Sequence, residues 1–555
     1  MAADQSPMNK LITEHIDIWT SAVKTRSTSG RGSSKKLELY GVKKLRELIL
    51  ELAVRGKLVP QDLNDEPASV LLERIKDERR AEAKNGKLKE VKAISENEFP
   101  YRLPINWSFV RLEEIIQISS GKNLTAKKMD TSGKIPVYGG NGVTGIHSES
   151  NVSEKTIVIG RVGFYCGSVH LTPSCAWVTD NAFITKYSRA NLDEGFLVWL
   201  LKATNLGEND SATAQPVISG KKVYPIVVAL PPKEEQRLIA AKINELMALC
   251  DQLEQQTETN IEAHQVLVTT LLETLTNSAD ANELMQSWAR ISEHFDTLFT
   301  TEESIDQLKQ TILQLAVMGK LVPQDPNDEP AAELLKRIAE EKAQLVKEKK
   351  IKKQKALPPI SEDEKPFELP NGWEWCRLGE VINLVSGQHL KPSEYTENSE
   401  ANSVPYITGP AEFGSIYPTY SKYTLEKRAL AQTGHILITC KGAGLGKLNR
   451  AKQTMAISRQ LMAIEPVFLD SDFLYNVLDC QYNYFQSKGV GIAIPGISRD
   501  DVTHMGVSLP PLNEQKRILV KLSELMNVCD LLKSRLIKSK NLQLHLTDAI
   551  VSRTV

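Results

Sequence analysis

The stretch LRELILELAVRGKLVPQDLNDEPASVLLERI, Leu45 to Ile75, occurs twice in this chain. Its second copy is LKQTILQLAVMGKLVPQDPNDEPAAELLKRI, Leu308 to Ile338. The copies agree at 22 of 31 positions and lie 263 residues apart. The repeat reads as an amphipathic helix, a stop at Gly56, a loop around Gln61 and a second helix. A repeat of this length predicts a duplicated structural unit.

Two further blocks repeat in the same order around this one. The block LPINWSFVRLEEIIQISSGKNL from Leu103 returns as LPNGWEWCRLGEVINLVSGQHL from Leu369. The block LPPKEEQRLIAAKINELMALCDQL from Leu230 returns as LPPLNEQKRILVKLSELMNVCDLL from Leu509, with 13 of 24 positions identical. The order A-B-C-A-B-C therefore predicts two similar halves in one chain.

The segments between the second and third blocks differ. The first insert, Trp107 to Leu230, and the second insert, Trp373 to Leu509, are similar in length but align poorly. Both contain Gly, Asn, Ser and short β-branched runs, which predicts mixed α/β domains with long loops. One interpretation is a scaffold that holds two different reading heads. The other is a duplicated structural protein whose inserts have drifted.

The third block continues into a heptad pattern, which predicts a long helix of about 40 residues in each half, packed on a partner helix. The expected seam positions are Ile239, Leu246, Leu253, Asn260 and Leu267 in the first half and Ile518, Leu525, Leu532, Ser539 and Leu546 in the second. The polar fourth position either fixes the register of the seam or faces solvent where the seam drifts.

Bulk properties exclude several classes of protein. The chain has 555 residues, which suggests two to four domains, and a net charge of −1, so any basic surface is local. No apolar run approaches the ~20 residues of a membrane span, and no secretory signal is apparent. The seven cysteines are dispersed without a Cys-x-x-Cys pair, which favours reduced thiols in the cytoplasm over a zinc site.

Catalytic motifs are missing from the sequence. The Pro-Pro pairs follow Leu and lack the aromatic residue of an amino-methyltransferase motif. The glycine loop from Lys441 to Lys447 fails the phosphate-loop pattern because Lys441 and Leu448 stand where Gly and Ser or Thr are needed. No pair of histidines has metal-ligand spacing. We therefore expect no catalytic residue, no metal site and no cofactor in this chain.

Local charge suggests where nucleic acid binds. Basic residues and asparagines on loops of the inserts are suited to phosphates and base edges. The candidates are Lys122, Asn123, Lys127, Lys128, Tyr138, Asn141 and Arg161 in the first insert and Lys422, Lys441, Lys447, Arg450 and Arg459 in the second. The alternative is that these runs are merely solvated faces. The lysine-rich segment from Lys336 to Lys355 is open to the same two interpretations, solvated helix or phosphate contact.

The repeat blocks resemble those of specificity subunits of type I restriction–modification systems. The similarity includes the LAVRGKLVPQDLNDEP block, the Leu-Pro-x-x-Trp openings and the Leu-Pro-Pro-x-x-Glu-Gln closings. Within the first insert, GKIPVYGGNG and IGRVG are similar to that family's target-recognition domains. The resemblance runs from about residue 40, and the position of the first block ahead of the first insert looks like a circularly permuted arrangement.

The resemblance implies a mixed α+β fold in which two α/β target-recognition domains are separated by two long antiparallel coiled-coil spacer helices, with an internal pseudo-twofold repeat. Each domain would read one half of a bipartite, asymmetric site in double-stranded DNA. The implied partners are two methyltransferase subunits and motor–nuclease subunits, which would carry S-adenosylmethionine, ATP and Mg²⁺. A coiled-coil adaptor that binds proteins through its inserts, without reading DNA, is the alternative function.

This interpretation divides the chain into seven segments. They are an N-terminal extension (1–40), a first helical repeat block (41–99), target-recognition domain 1 (100–232), a central spacer helix (233–276), a second helical repeat block with linker (277–365), target-recognition domain 2 (366–511) and a C-terminal spacer helix (512–555).

Overall fold

The computed structural model describes residues 7–27, 35–82, 91–130, 132–163, 165–206, 217–279, 281–442, 444–489 and 496–555. The chain forms two compact units. Unit 1 comprises Met1–Ile261 together with Ser539–Val555, and unit 2 comprises Glu262–Lys538. No helix in the described part of the chain is both long enough and apolar enough to cross a membrane.

Unit 1 contains an insert and the helices that surround it. Its helices are α1 (Pro7–Glu14), α2 (Ile16–Ser21), α3 (Tyr40–Val54), α4 (Ala68–Glu82), α5 (Leu112–Ile115), α6 (Glu194–Ala203), α7 (Gly220–Val223) and most of α8 (Lys233–Thr276). Its strands are β1 (Lys24–Ser27), β2 (Lys35–Glu38), β3 (Ser108–Arg111), β4 (Ile116–Ser120), β5 (Ile135–Gly139), β6 (Gly142–His147), β7 (Ile157–Gly160), β8 (Val169–Leu171), β9 (Trp177–Val178), β10 (Ala182–Tyr187) and β11 (Val227–Leu230).

Unit 2 has the same plan. Its helices are α9 (Ala281–Glu293), α10 (Phe295–Leu298), α11 (Glu302–Val317), α12 (Ala331–Lys347), α13 (Leu378–Val381), α14 (Ser471–Cys480), α15 (Tyr482–Lys488), α16 (Arg499–Thr503) and most of α17 (Leu512–Thr554). Its strands are β12 (Glu374–Arg377), β13 (Ile382–Ser386), β14 (Val404–Ile407), β15 (Tyr423–Thr424), β16 (Leu430–Ala431), β17 (Ile436–Thr439), β18 (Leu448–Arg450), β19 (Met455–Ile457), β20 (Leu461–Pro466) and β21 (Gly506–Leu509).

The two inserts share the topology of their main sheet although their sequences align poorly. A four-stranded sheet has the order β4-β10-β7-β8 in the first insert and β13-β20-β17-β18 in the second, antiparallel throughout. A second sheet contains a parallel pair in each insert, β5 with β9 and β14 with β19. The duplication therefore includes the inserts, although their second sheets have diverged to β6-β5-β9 in the first insert and β15-β14-β19-β16 in the second.

In unit 1 the repeat helix α3 contacts both long helices. The Arg46 Nη2 atom donates to Asp251 Oδ1 at 2.6 Å and to Glu254 Oε2 at 2.7 Å, both on α8. The Tyr40 hydroxyl donates to Asp548 Oδ1, on the last part of α17, at 2.7 Å. Leucines and isoleucines along α3 are buried in the same core as the first half of α8.

In unit 2 the equivalent helix α11 has the same role. Lys309 pairs with Asp530, and Lys533 Nζ lies 2.7 Å from Asp306 Oδ1, so that α11 contacts α17. On the other side, Gln265 Nε2 of α8 donates to Glu303 Oε2 at 2.8 Å. Each repeat helix is thus the third member of a helical frame, alongside parts of both long helices.

The three repeated motifs meet at one buried polar cluster in each frame. Trp107 Nε1 donates to Glu235 Oε2 at 2.8 Å, and Trp373 Nε1 donates to Glu514 Oε2 at 3.1 Å. The two carboxylates are 2% and 1% exposed, and burial raises the pKa of both. The repeated Gln of the first block, Gln324 in unit 2, also donates to Glu514, at 3.2 Å.

The predicted helix stop at Gly56 is a left-handed C-terminal cap. Gly56 has φ of +69° and Gly319, its repeat, has +71°. In each copy the amide of the following lysine donates to a carbonyl five residues earlier, at 2.9 Å. A Cβ at Gly56 would lie 2.5 Å from Pro104 Cγ, so glycine is required by its φ and by the Leu-Pro-x-x-Trp segment packed against it.

The buried stripe of the long helices follows the predicted heptad only in the first part of each. Ile239, Leu246, Leu253 and Ile518 are buried, and Leu525 and Leu532 are partly buried. Further along, Leu267 is 50% exposed and Leu546 is 43% exposed, so the prediction that they lie on the seam is wrong. Asn260 and Ser539 are exposed, as expected where a seam drifts.

The drift follows from helix geometry. An α-helix has 3.6 residues per turn, so a strict seven-residue spacing rotates by ~20° per heptad around a straight helix. The next buried position of α8 after Thr257 is Val268, 11 residues further along, and Thr547 holds the position of Val268 in α17. Since 11 residues make three turns at 3.67 residues each, this spacing keeps the buried face aligned.

The segment 1–40, predicted as an N-terminal extension outside the repeat, contains one short motif that does repeat. Ile12-Thr13-Glu14-His15-Ile16-Asp17 matches Ile291-Ser292-Glu293-His294-Phe295-Asp296. His15 and His294 precede short helices with similar backbone angles, φ of −121° and −110°. Ile12 and Ile291 are both buried. The signal was a six-residue motif that is short compared with the blocks around it.

A cation near the end of each repeat block attaches the frame to its insert. Arg79 Nη1 donates to the carbonyls of Glu113 and Glu114 at 2.5 and 2.8 Å. Lys342 Nζ, on the lysine-rich segment, donates to the carbonyl of Gly379 at 2.6 Å and to that of Ile382 at 2.9 Å. Burial lowers the pKa of Lys342 to about 8. This lysine is half-buried and its ammonium is hydrogen-bonded to the insert, unlike a residue of a solvated face.

Candidate functional site

Each insert presents a cluster of turns at one end of its four-stranded sheet, which we call the loop edge. In the first insert the loop edge comprises residues 121–123, 161–163, 165–168 and 179–181. In the second it comprises 387–389, 441–442, 444–447 and 458–460. These turns follow β4 and β7 and precede β10 in the first insert, and they follow β13 and β17 and precede β20 in the second.

The same backbone hydrogen bonds form both loop edges. The amide of Arg161 donates to the carbonyl of Asn181 at 2.9 Å, and the amide of Cys440 donates to that of Gln460 at 2.8 Å. The amides of Lys122 and Gln388 donate to the last residues of β9 and β19, at 3.0 and 2.9 Å. The backbone therefore aligns Asp180 with Arg459, a correspondence that the diverged sequences do not reveal.

The glycine loop from Lys441 to Lys447 is a turn between two strands. Gly442 has φ of +93° and Gly446 has +77°, and the first insert has Gly163 at +101° and Gly167 at +88°. The amide of Gly446 donates back to the carbonyl of Thr439 at 2.9 Å. The glycines thus serve the strand-to-strand turn, in agreement with the failed phosphate-loop pattern.

Most candidates of the first insert lie on or beside its loop edge. Lys122 and Asn123 are exposed, and Asn123 Nδ2 donates to Asp180 Oδ2 at 3.0 Å. Arg161 is half-buried, and its Nη1 donates to Ser120 Oγ at 3.1 Å and to the Asp180 carbonyl at 3.3 Å. Its Nε is buried and has no partner within the described part of the chain.

Three further candidates of this insert are exposed on neighbouring turns. Lys127 and Lys128 end the 3₁₀ turn Ala126–Lys128, next along the chain from Asn123. Asn141 lies on the turn between β5 and β6. That turn reaches the loop edge, because a Cβ at Gly140 would lie 2.2 Å from the Val162 carbonyl oxygen.

Tyr138 is a core residue, and its prediction as a DNA contact is corrected. Its side chain is 8% exposed and packs in a small cluster with Val158, Ala176, Val178 and Ala182. Burial raises the pKa of its hydroxyl. An aromatic residue on a strand between two polar loops gives the same sequence signal whichever face of the strand it occupies.

In the second insert the loop edge brings together Lys441, Lys447 and Arg459. All three are exposed. None has an intramolecular side-chain partner among the residues that the structure describes, so their charges are available to a ligand. Cys440 is buried beside them, and burial raises the pKa of its thiol to about 11, which keeps it protonated.

Two other candidates of this insert are already engaged. Arg450 pairs with the Asp472 carboxylate, and its guanidinium carbon lies 4.4 Å from the centroid of the Tyr475 ring. It is at the end of β18 away from the loop edge, so its prediction as a DNA contact is corrected. Lys422 is half-buried, with its amine 5.4 Å from the Tyr395 ring centroid.

Several loop-edge residues are not among the candidates that the sequence predicts. Asp180 gives no sequence signal of this kind, because a carboxylate is not expected where phosphates bind. Gln388 and His389, both exposed, occupy the positions of Lys122 and Asn123. Trp177 contributes to the first loop edge through its Nε1, which donates to the Lys122 carbonyl at 3.2 Å. The repeated block from Leu103 and Leu369 aligns Gln388 with Lys122 and His389 with Asn123, whereas only the backbone hydrogen bonds align Asp180 with Arg459.

Neither loop edge has the donor set of a metal centre. Within the described ranges, no cluster of three or more His, Cys, Asp and Glu side chains could hold a metal ion. All seven cysteines are free thiols. The loop edges present exposed amide, guanidinium and ammonium groups on a backbone that is held by hydrogen bonds. Such groups are suited to binding a polyanion that also carries hydrogen-bonding groups.

Comparison with known proteins agrees with this geometry. A family model described as the type I restriction modification DNA specificity domain matches residues 104–263 and again residues 370–539. The chain is 40% identical to the type I restriction enzyme EcoAI specificity subunit of Escherichia coli, over 99% of this chain and 100% of the relative. It is 41% identical to the EcoEI specificity subunit of the same organism, over 98% and 99%.

The fold is also found in a solved structure from work on complex assembly and conformational transition of the type I R-M system. That structure superimposes with a TM-score of 0.51 at 19% identity and covers 82% of this chain and 99% of its own. With a family model matching in both halves and relatives alike over their full length, the chain belongs to the family of type I restriction–modification DNA specificity subunits.

Proposed function

We propose that each insert reads one half of a bipartite, asymmetric DNA site, and that the chain does so without a catalytic site of its own. The observation that carries this proposal is the pair of loop edges. They share their backbone hydrogen bonds but present different groups at aligned positions, Asp180 against Arg459 and Asn123 against His389. Two readers that share a frame and differ in their exposed groups would favour two different half-site sequences.

The charge of the exposed groups supports DNA as the ligand. Lys122, Lys127 and Lys128 in the first insert, and Lys441 and Lys447 in the second, are exposed cations around each edge. Cations of this kind bind phosphates and fix the orientation of a reader on the duplex, while amide and guanidinium groups distinguish bases in the major groove. Because the whole chain has a net charge of −1, it can attract DNA only through local clusters of cations such as these.

The proposal extends to partners and cofactors. The full-length relatives are subunits of restriction enzymes by name, so we assign methyltransferase and motor–nuclease subunits as partners of this chain. S-adenosylmethionine, ATP and Mg²⁺ would then be bound by those partners. The long helices α8 and α17 each belong to both units, and in this proposal their length sets the unread gap between the half-sites.

The experiment that tests the proposal is an exchange of inserts. Residues 107–229 are replaced by the corresponding segment of the EcoAI specificity subunit, the variant is assembled with its modification subunits, and methylated sites are mapped by sequencing. One half-site changes to that of the donor and the other half-site and the gap stay the same. The reciprocal exchange of residues 373–508 is the matched control and changes the other half. A change in both halves, or in neither, would contradict the proposal.

A second measurement tests the absence of catalysis. The purified chain, supplied with S-adenosylmethionine, ATP and Mg²⁺, is expected neither to methylate nor to cleave DNA carrying its site. Methyl transfer by the isolated subunit would refute this part of the proposal. Binding of that DNA with a steep dependence on salt separates a DNA reader from a protein-binding adaptor.

A further inference from the structure

We infer that the two loop edges read different bases from different positions, with Arg459 reading a guanine in one half-site and Asn123, the hydrogen-bond partner of the residue aligned with Arg459, reading an adenine in the other. This inference rests on the proposed function, because it names the bases that the two inserts distinguish. It is based on the backbone hydrogen bonds that hold the turns, the exposed side chain of Arg459 and the hydrogen bond between Asn123 and Asp180.

The turn that carries Arg459 is fixed at both ends by backbone hydrogen bonds. The amide of Ser458 donates to the Ile407 carbonyl at 2.9 Å, and the amide of Leu461 donates back to the Ser458 carbonyl at 2.9 Å. The carbonyl of Gln460 accepts from Cys440 at 2.8 Å. Such a turn loses little conformational freedom on binding, which favours its middle residue as a reader.

Arg459 itself is the member of that turn with free donors. Its side chain is exposed and has no partner within the described part of the chain, unlike Arg428, which pairs with Glu394 and Glu426, and Arg450, which pairs with Asp472. A free guanidinium on a rigid turn matches the O6 and N7 acceptors of guanine, which it can bind with two hydrogen bonds.

In the first insert the aligned residue is Asp180, which does not face a ligand alone. Its Oδ2 accepts from Asn123 Nδ2 at 3.0 Å, and its backbone carbonyl accepts from Arg161 at 3.3 Å. The bond to Asp180 leaves Asn123 with one amide N–H and the Oδ1 acceptor. Those two groups match adenine, whose N7 accepts and whose N6 amino group donates.

Asp180 is therefore a positioning residue for Asn123. Its carboxylate fixes which way the amide points, since an acceptor at Oδ2 requires the Asn123 amino group on that side. A carboxylate near phosphates would otherwise be unfavourable, and the bond to Asn123, together with the nearby Arg161 guanidinium, accounts for its presence. His389 stands where Asn123 stands in the first insert, so the two edges differ at both members of the pair.

The test uses the complete modification enzyme and a DNA library in which every base of both half-sites is randomised. Arg459→Ala loses the preference for guanine at one base pair, by about 5- to 150-fold, and keeps every other preference. Arg459→Gln shifts the preference at that base pair towards adenine. Asn123→Ala loses a preference for adenine at one base pair of the other half-site. Asp180→Ala weakens that same preference and leaves the dependence of binding on salt unchanged.

The controls are exposed lysines at the opposite end of the same sheets. Lys452 follows β18 beyond Arg450, and Lys155 precedes β7. Lys452→Ala and Lys155→Ala are expected to keep all base preferences. Melting temperatures of all variants show whether they fold.

The inference is overturned if Arg459→Ala and Asn123→Ala keep their base preferences, or if they weaken binding to all sequences alike with a smaller salt slope, as phosphate contacts would. An unchanged preference in Asp180→Ala overturns its positioning role. These outcomes are distinct from failure of the proposed function, because the exchange of inserts assigns half-sites to inserts whichever residues read the bases.

Discussion

In unit 1 Arg46 of α3 faces two carboxylates of α8, Asp251 and Glu254, whereas in unit 2 the repeat helix α11 faces one carboxylate and one amine of α17. Lys309 holds the position of Arg46 and Asp530 that of Asp251, but Lys533 stands where unit 1 has Glu254. Asp306 on α11 accepts the bond from Lys533, and Lys43 stands at its position in α3. The two frames therefore agree at one ion pair and have reversed charges at the next.

The reversal indicates how each repeat helix is kept from pairing with the long helix that belongs to the other repeat helix. If α3 took the place of α11 against α17, Lys43 and Arg46 would lie near Lys533, and in the opposite exchange Asp306 would lie near Glu254. Like charges in contact oppose both wrong pairings, while the native pairings join opposite charges. The buried parts of the frames, by contrast, are almost the same, with Trp107 bound to Glu235 and Trp373 to Glu514.

The largest expected effect comes from removing the buried tryptophan of either frame. Trp107→Ala and Trp373→Ala each remove a buried ring and leave a buried carboxylate without its donor. We expect each to lower the free energy of unfolding of its own unit by about 3–5 kcal/mol. Scanning calorimetry checks this, with the more exposed Trp288→Ala as a control that we expect to lower stability less than either variant. A small loss in one unit alone would show that the two clusters are not equivalent.

The glycine caps give an effect of intermediate size. Gly56→Ala places a Cβ 2.5 Å from Pro104 Cγ at a φ of +69°, and Gly319→Ala does the same against Pro370. A left-handed alanine costs about 1–2 kcal/mol before that clash is counted. We expect a comparable loss of stability in both units. Gly163→Ala is the control, since its φ is also positive but no atom lies within 4 Å of its Cβ. An equal loss in all three variants would exclude the clash as a contributor.

Reversing one charge in unit 2 is expected to change the stability less. Lys533→Glu puts two carboxylates together in unit 2, and we expect a loss of about 0.2–1 kcal/mol because the pair is partly exposed. Adding Asp306→Lys restores opposite charges and recovers that loss. The double variant, however, gives unit 2 the charge pattern of unit 1, so its refolding yield falls although its equilibrium stability does not. An unchanged yield in refolding from urea would contradict the role of the reversal in pairing.

The smallest expected effect concerns pH. Hydrogen bonds from Arg111 and then from Ser95 lower the pKa of Glu98 from 4.5 to about 2, and Arg377 and Ser361 do the same for Glu364. A carboxyl with a lowered pKa stabilises the folded state above pH 4.5, and that contribution is lost as the pH falls from 4.5 towards 2. Glu98→Gln should flatten the acid branch of the stability curve of unit 1 and leave unit 2 unchanged. A curve identical to that of the unsubstituted chain would refute this assignment.

The sequence was sufficient for the frame and insufficient for the inserts. The repeated blocks predicted the two halves, and the heptads predicted long helices, which the structure shows with 44 and 43 residues. Fixed spacing failed beyond Leu253 because a helix with 3.6 residues per turn does not keep a seven-residue seam aligned. The partner of Arg450 is Asp472, 22 residues further along, and such a contact depends on how strands and helices pack. Tyr138 was misassigned for the same reason.

The loop edges have a consequence for how this chain changes over generations. Their turns are held by backbone amides and carbonyls, so the fold at these points does not depend on which side chain is present. Exposed positions such as Arg459 can therefore be substituted without rebuilding the domain around them. A lineage that exchanges inserts within the repeated frame, or alters single edge residues, samples new recognition sequences at little cost in stability. Substitutions in the buried frame are therefore limited by their effect on stability, whereas substitutions at exposed loop-edge positions are not.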